Sequence, residues 1–196
     1  MNLEEKSKIC LESYSRLKNL KLVEKETLIP WQTVYWHLKK TNTPVTGNKC
    51  IYGSSIDKFA HIGESFFNKI IPYAENQNLI SFQPKIDFII KGYGVEVKSA
   101  KLTPTDSVHR WCFSLKKQRK VADFFVLMAF NNEGSELSHL FLVPNDMLRD
   151  NLQTISITRD LNRTKWKDFL ISEWELKEFF DLIDPRNLVK DTKSIN

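Results

Sequence analysis

The stretch Phe82-Gln-Pro-Lys-Ile-Asp-Phe-Ile-Ile-Lys-Gly-Tyr-Gly-Val-Glu-Val-Lys-Ser-Ala100 reads as a β-hairpin. Apolar β-formers fill Ile86 to Ile90 and Val95 to Val97. Between them, Lys91-Gly92-Tyr93-Gly94 holds two glycines able to take the positive φ of a tight turn. A turn centred on Gly92 and Tyr93 pairs Ile90 with Val95, Ile89 with Glu96 and Asp87 with Lys98. Side chains alternate across a strand, so Ile86, Phe88, Ile90, Val95 and Val97 share a core face, and Asp87, Ile89, Glu96 and Lys98 share the other. Asp87 is then diagonal to Glu96, and diagonal partners stand roughly 7–8 Å apart, within reach of one ion. Two carboxylates that close suit Mg2+, which takes oxygen ligands and keeps several waters. A lysine beside them can touch a water or a phosphate oxygen. The competing reading is a solvated hairpin with a charged outer face.

Pro84-Lys-Ile-Asp87, the spacer from Phe88 to Val95, and Glu96-Val-Lys98 together resemble the signature of the PD-(D/E)XK nuclease superfamily, which includes many restriction endonucleases and Holliday-junction resolvases. Two residues separate the proline from the aspartate here where the family pattern has none; the proline is not a metal ligand. The resemblance implies that Asp87 and Glu96 bind Mg2+, with Mn2+ as a substitute, and that the Val97 carbonyl is a further ligand. It implies that Lys98 positions the attacking water, and that Glu64, on the helix before the hairpin, points at the metal. The order of elements over residues 56–145 is that of the family core: helix, three strands, basic helix, strand. The expected fold is therefore α/β, a restriction-endonuclease-like core with a mixed central sheet flanked by helices.

An all-α module is expected to precede this core. Leu3 to about Leu20 has an amphipathic helix pattern, Lys21 to Thr27 reads as a charged connector, and Pro30 suits the first turn of a helix running to Lys40. That helix, Ile-Pro-x-x-Thr-Val-Tyr-x-His-Leu, is similar to the recognition helix of bacterial and archaeal helix-turn-helix regulators. Val34 and Leu38 would face inward, leaving Trp31, Gln32, Thr33, Trp36, Lys39 and Lys40 less constrained, with Trp31, Gln32, Thr33, Lys39 and Lys40 the candidates for DNA contact. Gln32 can bond an adenine edge in two places, and the lysines can neutralise phosphates. The expected division is a helix-turn-helix over 1–45, a linker over 46–55, the nuclease core over 56–150, and a C-terminal extension over 151–196 that packs on the core or on a second copy. Ser172-Glu-Trp-Glu175 has capping-box spacing for a helix toward Leu182.

Lys116, Lys117, Gln118 and Arg119, with Lys120, form the densest basic cluster, expected on a helix that tracks phosphates. Across 196 residues, 29 basic against 24 acidic residues give a net charge of +5, which suits a polyanionic partner. Cys10, Cys50 and Cys112 lack the paired spacing of a zinc site and read as thiols in a reducing cytoplasm. No membrane partner is expected, since no stretch reaches the length of an apolar span. Double-stranded DNA is the expected substrate, and a homodimer the expected active species.

The expected activity is Mg2+-dependent hydrolysis of DNA phosphodiester bonds by a sequence-specific, type II-like restriction endonuclease. The alternatives are a structure-selective or mobile-element nuclease and, from another class, a non-catalytic helix-turn-helix regulator.

Overall fold

The computed structural model describes residues 2–45, 54–80, 84–105, 108–115 and 121–186. Two compact units divide the chain: residues 1–61 with 76–84, and residues 62–75 with 85–196.

The first unit holds α1 (Leu3–Leu17), α2 (Leu20–Thr27) and α3 (Trp31–Lys40). Asn2 and Glu5 close a capping box at the start of α1, each side chain accepting the other's backbone N–H at 2.8 and 2.9 Å. The expected connector Lys21 to Thr27 is instead helix α2. Asn19 caps it by accepting the N–H groups of Lys21 and Leu22, and Leu28 ends it in the left-handed region at φ 58°. Eight residues make a marginal helix in water, so its stability comes from docking: Leu20 and Val23 are fully buried with Cys10, Tyr14, Val34 and Leu38. Three residues, Leu28 to Pro30, join α2 to α3, the spacing of a helix-turn-helix.

Helix α4 (Ser55–Ile70) runs from the first unit into the second. The second unit is built on a five-stranded mixed sheet in the order β1-β2-β3-β6-β7. Its strands are β1 (Glu75–Asn76), β2 (Phe88–Ile90), β3 (Tyr93–Lys101), β6 (Phe124–Phe130) and β7 (Leu137–Pro144). β3 and β6 are parallel, and the other described pairs, β2 with β3 and β6 with β7, are antiparallel. Parallel neighbours need a crossover, and this one contains the β4–β5 hairpin, β4 (Thr103–Thr105) and β5 (Val108–Ser114). With β8 (Thr154–Thr158) these form a second sheet, ordered β4-β5-β8.

Register assigns the faces of β3. Val95 pairs with Phe88 on one side and Phe124 on the other, so the three share one face, which receives Phe67 from α4 and Phe179 and Phe180 from α5 (Glu173–Leu182). Phe125, Leu127 and Ala129 lie on the other face and pack with Trp111, Phe113, Ile155 and Ile157 of the second sheet. The expectation of helices flanking the sheet thus holds on one face among the described residues, while a sheet covers the other. Burial alternates along β5, with Trp111 and Phe113 inside and Cys112 and Ser114 outside, as one layer of a stacked pair requires. The residues after 150 supply β8 and α5 to this unit and so pack on its core.

Gly63 sets how closely α4 lies on β3. A Cβ there would stand 1.8 Å from Ser99 Oγ and 3.2 Å from Ser99 Cβ. Gly63→Ala is expected to cost about 1–3 kcal/mol through overpacking, and Gly63→Ala/Ser99→Gly to recover most of that. Urea melts of the three proteins measure it; an unchanged midpoint for Gly63→Ala contradicts the close approach.

Candidate functional site

The hairpin pairs Phe88 with Val95, Ile89 with Gly94 and Ile90 with Tyr93, two residues tighter than the sequence suggests. The turn falls on Lys91 (φ 49°) and Gly92 (φ 85°) rather than on Gly92 and Tyr93. Lysine is strained in that region, and it is held there from afar. Its Nζ donates to the Asp181 and Ile183 carbonyls at 2.8 and 3.0 Å, and its carbonyl accepts the Arg186 N–H at 2.9 Å. Gly94 lies outside the turn, where a Cβ would stand 3.1 Å from Val121 O, and its N–H donates to Asp123 Oδ2 at 2.8 Å.

A slip of two residues preserves the parity of a strand, so Glu96 and Lys98 keep their shared face. Extended by one residue, the observed register sets Asp87 across from Glu96 instead of Lys98. Asp87 Oδ2 accepts the Val97 N–H at 3.1 Å. In an extended strand the N–H and C=O of one residue point to the same edge, so the Val97 carbonyl is directed to the edge where Asp87 lies. Lys98 Nζ donates to Glu96 Oε1 as an ion pair.

The face is not a solvated one. Asp87 is 6 % exposed, Glu96 3 % and Glu64 2 %, against 22 % for the Lys98 side chain. Buried carboxylates persist only where hydrogen bonds, opposite charge or a metal hold them. Glu64 stands next to Gly63, on the helix segment pressed against Ser99. Among the described residues no three His, Cys, Asp or Glu side chains converge in a group able to hold a metal ion. The donors that the hairpin does bring together, two carboxylates and one carbonyl, are hard oxygens. They fit Mg2+ with water completing its shell.

In the first unit, α3 buries Val34, His37 and Leu38 and exposes Gln32, Trp36, Lys39 and Lys40. Thr33 is half-buried. Trp31 packs at the edge of the three-helix core, its backbone N–H donating to Glu24 Oε1 at 3.3 Å and Lys21 Nζ standing over its ring at 5.8 Å. No acid lies on α3, and its exposed face carries an amide, an indole and two ammonium groups. Trp36, which the sequence leaves as unconstrained as Gln32, Lys39 and Lys40, is exposed beside them, with Lys40 Nζ 5.2 Å from its ring. Lys116, Lys117, Gln118 and Arg119 lie outside the described residues.

His37 Nδ1 meets Ser7 Oγ at 3.1 Å. Burial pushes its imidazole below the ordinary 6.5, and the Lys40 and Lys6 charges act in the same direction. The folded value being the lower, the unfolded chain takes up the proton first as pH falls. The stability that neutral His37 confers is therefore complete above about pH 6.5 and lost as pH falls through the folded value. Amide exchange of α3 should accelerate between about pH 7.5 and about pH 5 beyond its intrinsic pH dependence, and His37→Gln should flatten that change; equal acceleration in His37→Gln excludes the histidine as its source.

No helix among the described residues is long and apolar enough to cross a membrane. Neither a family model nor a curated protein matches the chain.

Proposed function

We propose that this protein is a Mg2+-dependent endodeoxyribonuclease in which α3 reads duplex DNA and the hairpin cuts it. One observation carries the reading: Asp87 and Glu96 are both buried, on one edge of one hairpin, with Lys98 paired to Glu96. Such an arrangement costs stability in a purely structural role, because apolar residues of similar size would fill the space at least as well. When bound, Mg2+ supplies charge neutralisation at the phosphate and acidifies a water.

Asp87 and Glu96 hold the cation, and the Val97 carbonyl adds a third oxygen. Asp87 is itself fixed by the Val97 N–H. The Lys98 ammonium, oriented by Glu96, hydrogen-bonds the water that forms the new bond to phosphorus as a P–O ester bond breaks, the water's proton passing to solvent and the departing oxygen taking one up from solvent. The resemblance also assigns Glu64, on α4, to this centre, although its carboxylate does not converge with those of Asp87 and Glu96 into a three-acid group. The finer reading is a sequence-specific restriction endonuclease, since a separate helix able to meet base edges is of little use to an enzyme that reads only shape. One hairpin serves one strand at a time, so cutting both strands calls for a two-fold homodimer on a symmetric site.

Plasmid incubated with the pure protein and Mg2+, and again with EDTA, tests the activity. Cleavage with Mg2+ that EDTA abolishes is the expected result; an intact plasmid with Mg2+ or Mn2+, alongside demonstrable duplex binding, favours the regulator instead. Lys39→Ala and Lys40→Ala should weaken all duplexes alike and each reduce the slope of log K against log salt by about 1, as loss of one phosphate contact does. A filter-binding salt series measures it, and an unchanged slope removes these lysines from the interface.

A further inference from the structure

A second constellation lies apart from the hairpin carboxylates, between residues of the two stacked sheets. A cleft of about 510 Å3 has Trp111 at its floor and His109 and Arg159 at its rim. Trp111 is fixed: its Nε1 donates to Phe130 O at 2.6 Å, and the His139 ring meets it edge-on at 5.4 Å. His109 and Arg159 are brought together by the β5–β8 pairing, the Arg159 N–H donating to the His109 carbonyl at 2.9 Å. Leu102 lies four residues beyond Lys98, or about 13 Å at the rise of a strand, so the cleft is separate from the hairpin centre.

Its chemistry is one-sided. Among the described residues no carboxylate lines the cleft. Arg16, Arg163 and Arg186 are ion-paired to Glu26, Asp160 and Asp123, whereas the Arg159 side chain has no such partner among the described residues. An adjoining hollow of about 410 Å3 shares His109 and Arg159 and is lined also by Arg163 and Asp160, which pair with each other. Burial keeps the His139 imidazole below its ordinary value, so near neutral pH it presents a neutral ring beside Trp111. A guanidinium fork with an imidazole suits a phosphate. Leu102 and Pro104 add an apolar wall for a flat ring, and Asn132 and Ser138 offer hydrogen bonds to its edge. The volume lies within the roughly 300–1,000 Å3 of small-molecule sites.

We propose that this cleft binds a nucleotide unit, its phosphate on Arg159 and His109 and its base against Leu102, Pro104 and the edge of Trp111. The unit is a free mononucleotide or one nucleotide of a DNA strand, and the proposal does not rest on cleavage at the hairpin.

Titration calorimetry on the full chain, with thymidine 5′-monophosphate, thymidine, inorganic phosphate and a short single-stranded oligonucleotide, tests it. The expected result is that the monophosphate binds at least about tenfold more tightly than either thymidine or phosphate. Arg159→Ala and His109→Ala, both at exposed positions, should each weaken it by about tenfold or more with no change in melting temperature. Oligonucleotide binding that depends on Arg159 in a Lys39→Ala/Lys40→Ala background, without mononucleotide binding, assigns the cleft to a DNA strand and still supports the proposal. It is overturned if neither ligand binds, if thymidine or phosphate alone binds as well as the monophosphate, or if Arg159→Ala changes nothing.

Discussion

Asp87→Ala and Glu96→Ala are each expected to lower Mg2+-dependent plasmid cleavage by about a thousandfold or more, with duplex binding retained. A bound divalent ion contributes several kcal/mol of charge stabilisation in the transition state, and about 4 kcal/mol corresponds to a thousandfold in rate. In the proposed site, removing either carboxylate takes away one of two acidic donors, while the exposed groups of α3 proposed to meet DNA stay in place. Lys98→Ala should also abolish cleavage, but for two reasons that need separating. It removes the ammonium proposed to position the water, and it leaves Glu96, 3 % exposed, without its Lys98 ion-pair partner.

Breaking a buried pair costs about 3–5 kcal/mol, and the partial exposure of Lys98 places this case below that range. Lys98→Ala/Glu96→Gln should regain the lost stability without regaining activity. Rates from supercoiled-plasmid time courses, alongside denaturant melts of the same proteins, separate the two effects. Cleavage by Glu96→Ala at the parental rate in Mg2+ would remove the hairpin from the chemistry.

Phe67→Ala is expected to destabilise the second unit by about 3–5 kcal/mol, the range for losing a buried phenyl group from a core. Phe67 is fully buried, 4.8 Å from the Phe88 ring and 6.3 Å from the Phe180 ring, and so ties α4, β2 and α5 to one another. Against a total stability of about 5–15 kcal/mol, that loss is a large share. Phe67→Leu should recover part of it, since much of the volume returns. The second consequence is functional, because Glu64 stands one turn before Phe67 on the same helix. Loosening α4 should lower cleavage even where Phe67→Ala remains folded, with a smaller effect in Phe67→Leu. A loss of stability under about 1 kcal/mol would mean that the cluster relaxes to fill the cavity.

The sequence by itself determined the parity of the hairpin. Phe88, Ile90, Val95 and Val97 alternate with Asp87, Glu96 and Lys98, and no even shift of register separates the charged residues from one another. It also determined α3, because Pro30 at its start and Val34 with Leu38 four apart are local signals. Tertiary structure decided the rest. Lys91 takes a left-handed conformation because its Nζ reaches carbonyls 90 and 92 residues further along the chain, and that choice moves the turn and places Asp87 across from Glu96. No reading of a short window contains those partners.

Helix α2 was hidden for a similar reason. Lys21 to Thr27 is mostly polar, and only docking Leu20 and Val23 against α1 and α3 offsets the cost of ordering so short a helix. The burial of the carboxylates was likewise undecidable from the hairpin alone. A charged strand face reads as solvated until a second layer is known to cover the strand beside it, and here that layer comes from β5 and β8, which are remote in sequence. The cleft at His109 and Arg159 had no sequence signal at all, since its two rim residues stand fifty positions apart and meet only through strand pairing.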